Sequence, residues 1–210
     1  MIRVAIIGSG DLGNQIQHMI SSIQGMLAVA YFDDFENIGV VKSGIPVLGA
    51  VDDVLTSFSK NEFDQLILGI GYKHMDIRAK VYDEFKGKIP FAKIIHPSSF
   101  VDYSARIDEG CVVYPGCVID QHVHLSDNVL LNVGCTIAHD TTIGAHSFLS
   151  PRVALAGFIN VGPKVNLGIN TTVIDNIDIC ANTRTGGGAV VTKNIESSGL
   201  YLGVPAKLIN

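Results

Sequence analysis

Hydrophobic positions follow one rule up to about residue 94 and another after it. The chain opens with IRVAII (2–7), an apolar run that stops at glycines, the pattern of a strand in a parallel sheet buried on both faces. Residues 11–24 then place Leu12, Ile16, Met19, Ile20 and Ile23 at helical spacing. LAVAYF (27–32) reads as a second strand that runs into Asp33 and Asp34, and QLILGIG (65–71) as a further one. MDIRAKVYDEFKG (75–87) is predicted to be helical, and FAKIIH (91–96) closes the segment. Strands alternating with helices predict a small α/β unit over residues 1–94.

After this the period becomes six. Stepping by six from Ile95 through Val101, Ile107 and Val113 to Val191 meets only Ile, Leu or Val, except at Thr185. The parallel row from Ser99 through Ala105, Cys111 and Cys117 to Ala189 holds only small or β-branched residues. Two apolar rows in register at this interval fit neither a helix (period 3.6) nor a flat alternating sheet (period 2). They fit a solenoid whose coils stack equivalent positions, over residues 95–210 with a C-terminal tail. Asn132, Gly144, Gly162 and Gly168, just after the first row, are expected to make its turns. Cys111, Cys117 and Cys135 fall in the small row and are expected to be packing residues.

Within the first unit, IGSGDLG (7–13) spells G-x-G-x-x-G with Gly8, Gly10 and Gly13, and Asp33 follows twenty residues after the last. Taken alone, that is a dinucleotide fingerprint placed between strand and helix. Residues 1–94 hold too few strands for two mononucleotide halves, so a single nucleotide site, an NAD site and a purely structural βα turn remain open on the residues alone.

Composition narrows the classes. Of the 210 residues 47% are hydrophobic and 17% charged, enough for a core and unlike a disordered chain. A formal net charge of −5 argues against a general nucleic-acid binder. Four cysteines without a C-x-x-C pair suggest neither a zinc ribbon nor a redox motif. No segment reads as a signal peptide or membrane span, so a cytoplasmic protein with no membrane partner is expected.

The six-residue rows, with IAHDTTIGAHSFLSP (137–151), TGGGAVVTKNI (185–195) and GVPAK (203–207), resemble the hexapeptide-repeat bacterial sugar acetyltransferases. The resemblance is to the sialic acid O-acetyltransferases and the nucleotide-amino-sugar N-acetyltransferases. It implies an α/β N-terminal half-Rossmann domain followed by a left-handed parallel β-helix, with three short strands per eighteen-residue coil. It implies acetyl-CoA as donor, a nucleotide sugar as acceptor, no metal, and a homotrimer with sites between neighbouring β-helices. Gly8 and Gly10 would let backbone approach a diphosphate at the helix N-terminus, and Asp33 and Asp34 would bind the base or ribose. Leu12 stands where the family often has His, and Asp11 replaces a usual glycine. An Asp carboxylate repels a diphosphate, so Asp11 is expected to turn away or cap the helix. Gly71 ends a strand beside His74, a candidate for substrate contact.

The same resemblance makes His139 the general base and Asp140, often Glu in the family, the acid that holds its tautomer. Gly157, Ile169 and Gly187 would line the donor groove. Phe148 replaces a His nine residues after the base. Lys207 either meets a CoA phosphate or is simply solvated. A zinc site on His122, His124 and His146 does not fit the spacing known for trimeric β-helix enzymes. The expected reaction is N-acetylation of a nucleotide-linked amino-deoxysugar. The rivals are O-acetylation of sialic acid or a related sugar, a non-catalytic nucleotide-sugar-binding β-helix, and an acyl-carrier-protein-dependent acyltransferase.

Overall fold

The computed structural model describes residues 1–209. The chain divides into two compact units, the first Met1–Ile94 and the second beginning at Ile95.

In the first unit β1 (Ile2–Ile7), β2 (Met26–Phe32), β3 (Val41–Lys42), β4 (Ile45–Gly49) and β5 (Gln65–Leu68) form one sheet in the order β3-β4-β2-β1-β5. All neighbours are parallel except the β3–β4 hairpin. The helices are α1 (Asp11–Ile20), α2 (Val54–Ser59) and α3 (Met75–Phe85). One face of the sheet buries Ala5, Ile7, Phe32 and Leu68 in a cluster that includes Phe63, Val81, Tyr82 and Phe85. α1 packs on β1 and β2 and buries Ile16, Met19 and Ile20.

α1 ends three residues before the apolar spacing does. Tighter i→i+3 bonds from Ser22 to Met19 and from Ile23 to Ile20 close it off, ahead of Gly25 at φ +87°. The 41–49 hairpin was not among the predicted strands. Its signal was the dipeptide Ser43–Gly44, both residues at positive φ, as a two-residue turn of this kind requires.

Two of the three motif glycines serve the packing of this unit. Gly8 has φ +97°, and a Cβ on Gly13 would lie 2.0 Å from the Gly8 carbonyl oxygen. The carbonyl is backbone and a Cβ is fixed rigidly to its own backbone, so neither yields cheaply. Gly13→Ala is expected to destabilise the first unit by about 3 kcal/mol, read as a lower midpoint in denaturant; an unchanged midpoint would refute this packing argument. A Cβ on Gly10 would meet nothing within 4 Å.

The second unit is a left-handed parallel β-helix. Two-residue strands pair with those one coil further along: Val118–Ile119 with Thr136–Ile137, and these with Ala154–Leu155. The second residue of each strand is the member of the large apolar row, and Ile119, Ile137 and Leu155 are all buried. The small row is buried as well from Cys111 onward, and its polar members there are satisfied. Thr141 Oγ1 donates to the Ala156 carbonyl at 3.1 Å, Ser147 Oγ to that of Gly162 at 3.1 Å, and Cys117 Sγ to that of Asn132 at 3.1 Å.

The residues expected at the turns open them: the Cys135 amide reaches the Asn132 carbonyl at 3.3 Å and the Thr171 amide that of Gly168 at 3.1 Å. From Ile107 to Ile179, left-handed backbone falls three places after each large apolar residue, at Asn128, Gly134, Asp140, His146, Asn170 and Asn182 among others. These are types that tolerate this region. Gly144 and Gly162 are glycine for another reason, coil-to-coil contact. A Cβ on Gly144 would sit 2.5 Å from the Gly162 carbonyl carbon, and one on Gly162 would sit 2.7 Å from the Ala181 nitrogen.

Candidate functional site

One corner of the β-helix stacks Gln121–His122, His139–Asp140, Gly157–Phe158 and Asp175–Asn176, eighteen residues apart. Successive levels are tied by amide bonds: Asp140 to the Gln121 carbonyl, Phe158 to that of His139, and Asn176 to that of Gly157. His139 leaves the core two places after buried Ile137, so its ring lies outside the coil with 40% of the side chain exposed.

His139 Nδ1 lies 3.0 Å from Asp140 Oδ2. With the proton on Nδ1 for that bond, Nε2 keeps its lone pair, and it makes no hydrogen bond among the described residues. The hydrogen bond from His139 holds the Asp140 carboxyl below its ordinary range against the opposing effect of burial, and a weaker one from His122 adds to it. Phe158 meets the imidazole edge-on, with ring centroids 5.2 Å apart.

The level above is shaped by an absent side chain. A Cβ on Gly157 would fall 2.7 Å from His139 Cε1 and 2.9 Å from Nε2. The imidazole occupies the place where residue 157 would carry a side chain.

The residues expected to line the donor groove do not gather in one place on a single chain. Ile169 and Gly187 stack on another corner, where the Gly188 amide reaches the Ile169 carbonyl at 2.8 Å and a Cβ on Gly187 would lie 3.0 Å from Ile169 Cγ2. Gly157 is two strands away in sequence from Ile169 and belongs to the His139 corner. Phe148, which stands where the family has a His, is only 4% exposed and is paired between Leu130 and Asn166. Lys207 is exposed on the final strand, Lys207–Ile209, which runs antiparallel to Leu200–Leu202.

In the first unit a cavity of about 370 Å³ opens at the C-terminal ends of β1, β2 and β5. That end of a parallel sheet is where α/β folds take their ligands. It is lined by Gly8, Asp33, Asp34 and Gly71 of the expected set, and by His74. Gly10, Asp11 and Leu12 are not part of its lining, and Asp11 makes no side-chain cap bond to α1, whose cap position is Gly10.

Asp33 is already engaged. Its Oδ2 accepts from the Ser9 amide and hydroxyl, both at 2.7 Å, and its Oδ1 from the Phe35 amide at 2.9 Å. Burial would raise its carboxyl, but these bonds and nearby Lys42 outweigh it, so the group stays ionised further into acid than usual. Asp34 Oδ1 accepts from the Val51 amide at 2.8 Å. Phe35, which the sequence reading passed over, lies at the cavity 96% exposed. An exposed aromatic directly after two acidic residues at a strand end was the available signal.

Among the described residues no group of three His, Cys, Asp or Glu side chains is disposed to hold a metal. His124 pairs with Asp108 at 2.7 Å and His146 with Asn128 at 3.1 Å, each apart from His122.

A nucleotide-sized cavity at a half-Rossmann sheet, and a histidine–aspartate pair on a hexapeptide coil, define a hexapeptide-repeat acyltransferase with an added N-terminal α/β unit. Residues 3–85 match the model of the PglD N-terminal domain. The whole chain superposes on a perosamine N-acetyltransferase variant from Caulobacter crescentus, solved with CoA and GDP-perosamine (TM-score 0.92, 30% identity, 99% of this chain and 96% of that one). It is similar also to the acetyltransferase domain of PglB from Neisseria gonorrhoeae in complex with acetyl coenzyme A (TM-score 0.90, 26% identity, 99% and 98%). A UDP-3-O-acylglucosamine N-acyltransferase of Bordetella pertussis is 40% identical over 67 residues, 32% of this chain and only 18% of that relative's length. The chain belongs to the hexapeptide-repeat bacterial sugar acetyltransferases.

Proposed function

We propose that the protein transfers the acetyl group of acetyl-CoA to the amino group of a nucleotide-linked amino-deoxysugar. The observation that carries this is His139. Its Nδ1 is clamped by Asp140, its Nε2 is open, and the space beside it is kept clear by Gly157. Acetyl-CoA supplies the acyl group as a thioester. His139 Nε2 takes a proton from the acceptor nitrogen as that nitrogen bonds to the acyl carbon, Asp140 stabilises the imidazolium that results, and the C–S bond then breaks so that CoA leaves as the thiol with the proton the imidazolium returns. The whole-chain match to a relative solved with CoA and GDP-perosamine supports this donor and acceptor class.

The first unit binds the nucleotide part. The cavity takes the base and ribose between Phe35, Asp34 and Gly71, and the diphosphate lies by Gly8 and the open backbone at Gly10. The donor lies against glycine-lined coil corners. Gly157 and the Ile169–Gly187 pair occupy different corners of one chain, so they face one groove only when two copies meet. This supports a homotrimer with a site at each seam.

The reading is tested by following acetyl-CoA consumption across a panel of UDP-, GDP- and dTDP-linked 4-amino-sugars, with hydroxyl sugars and sialic acid alongside. Turnover with an amino-sugar nucleotide is expected. Turnover on hydroxyl acceptors alone would replace it by O-acetylation. Calorimetry on the same nucleotides tests the first unit: binding of at least one UDP, GDP or dTDP sugar is expected, and Asp34→Ala should weaken it about tenfold, the loss of one charge-assisted hydrogen bond. Binding of NAD and of none of these would overturn the nucleotide-sugar assignment.

A further inference from the structure

Asp140 has two carboxylate oxygens, and the reaction proposed above uses only Oδ2. The other, Oδ1, lies 3.2 Å from His122 Nδ1, one coil earlier on the same corner. A carboxylate with one anchored oxygen still turns about its Cβ–Cγ bond. One anchored at both oxygens does not. Asp140 sits in left-handed backbone at φ 57°, with its amide tied to Gln121, so its side chain starts from a fixed point. The remaining freedom is that carboxylate rotation, which would carry Oδ2 away from the imidazole it orients.

His122 is itself held. Its backbone is left-handed (φ 57°), and its amide donates to Ser104 Oγ at 2.9 Å. Ser104 Oγ in turn donates to Asp102 Oδ1 at 2.6 Å, and the same carboxylate oxygen accepts the Ser104 amide at 2.9 Å. One corner thus carries an unbroken series of polar contacts through three coils: Asp102, Ser104, His122, Asp140, His139. The charged and titratable groups around His122 are Asp102 below it and Asp140 and His139 above it, with Asp120 in its own coil bonded to the Gln121 amide. The side chain of His122 is 63% exposed, so packing does not explain the contact.

We propose that His122 is a positioning residue for the His139–Asp140 pair: its Nδ1–H holds Asp140 Oδ1, so that Oδ2 keeps the Nδ1–H tautomer of His139 and leaves Nε2 free to accept a proton. The inference rests on the acyl-transfer reading only for its kinetic consequence. The tautomer it predicts belongs to the free protein.

The experiment uses the full chain with 15N-labelled histidine, at a pH where the imidazoles are neutral. Ring nitrogen shifts report which nitrogen of His139 bears the proton, and His139→Asn assigns the signal. In the unaltered protein the Nδ1–H form of His139 is expected to dominate. His122→Ala should shift His139 toward a mixture of the two tautomers. His122→Asn places an amide N–H where the imidazole Nδ1–H was, and asparagine tolerates left-handed backbone. It should restore the original tautomer.

In turnover, His122→Ala should lower kcat about tenfold with KM little changed, His122→Asn should recover most of it, and His122→Ala should have no further effect once Asp140 is alanine. A merely structural His122 would leave the tautomer alone and act additively with Asp140. The same tautomer in all three proteins, or an additive double variant, overturns the proposal. A tautomer shift without acetyl transfer to any sugar upholds the positioning and rejects the acyl-transfer reading.

Discussion

Replacing His139 by alanine is expected to lower kcat by roughly two to four orders of magnitude, the usual cost of losing a general base, while CoA binding persists. Structure explains the separation. The ring lies outside the coil and its only side-chain hydrogen bond among the described residues is to Asp140, so its removal leaves the apolar rows untouched. The backbone ties that stack its corner come from the Phe158 amide and do not depend on the side chain. His139→Asn is expected to be as slow, because an amide fills part of the space and has no basic nitrogen. Steady-state kinetics with calorimetric CoA titration reads both quantities. A variant that turns over within a few-fold of the parent would remove His139 from the mechanism.

Gly157→Ala should disable the enzyme nearly as well without touching any polar group. The added methyl would stand 2.7 Å from His139 Cε1, inside van der Waals contact. What has to move is the far end of a rotatable side chain, so the fold yields cheaply and the active geometry does not. A fall in kcat of about 100-fold is expected, the scale of a displacement near 1 Å in a reacting group, with thermal stability lowered only slightly. Gly13→Ala is the opposite case: there two backbone segments collide and stability is lost. Comparing the melting temperatures of the two variants separates these outcomes. A normally active Gly157→Ala protein would show that the imidazole has room to spare and that residue 157 is not constrained by it.

Much of the architecture was legible because it is written in short-range periodicity. The strand predicted at 2–7 is the strand observed, Ile2–Ile7, and the six-residue rows are the interior of the β-helix. Its apolar residues had to recur at that interval because each coil places one strand on each of three faces. The β3–β4 hairpin escaped notice because β3 has only two residues and Pro46 breaks the pattern of β4. Which residue of each turn is left-handed was not legible for a related reason. Glycine is wanted both where φ is positive and where backbones touch, and composition alone does not separate the two.

The site was legible only in part. His139 and Asp140 are adjacent in the chain, so their pairing is local and can be expected from sequence. Gly157 against His139, and His122 against Asp140, each join residues eighteen apart, and the separation of Gly157 from Ile169 and Gly187 depends on which corner each reaches. The chain alone settles that the second unit stacks as a solenoid and which residues have chemistry to offer, since the apolar rows recur in register and the side chains carry their own functional groups. Which of those groups touch, which carboxylate oxygen each histidine receives, and which glycine makes room for a ring become definite only after the coils are stacked. Contact falls off within an ångström, and no spacing along an unwound chain specifies distances that fine.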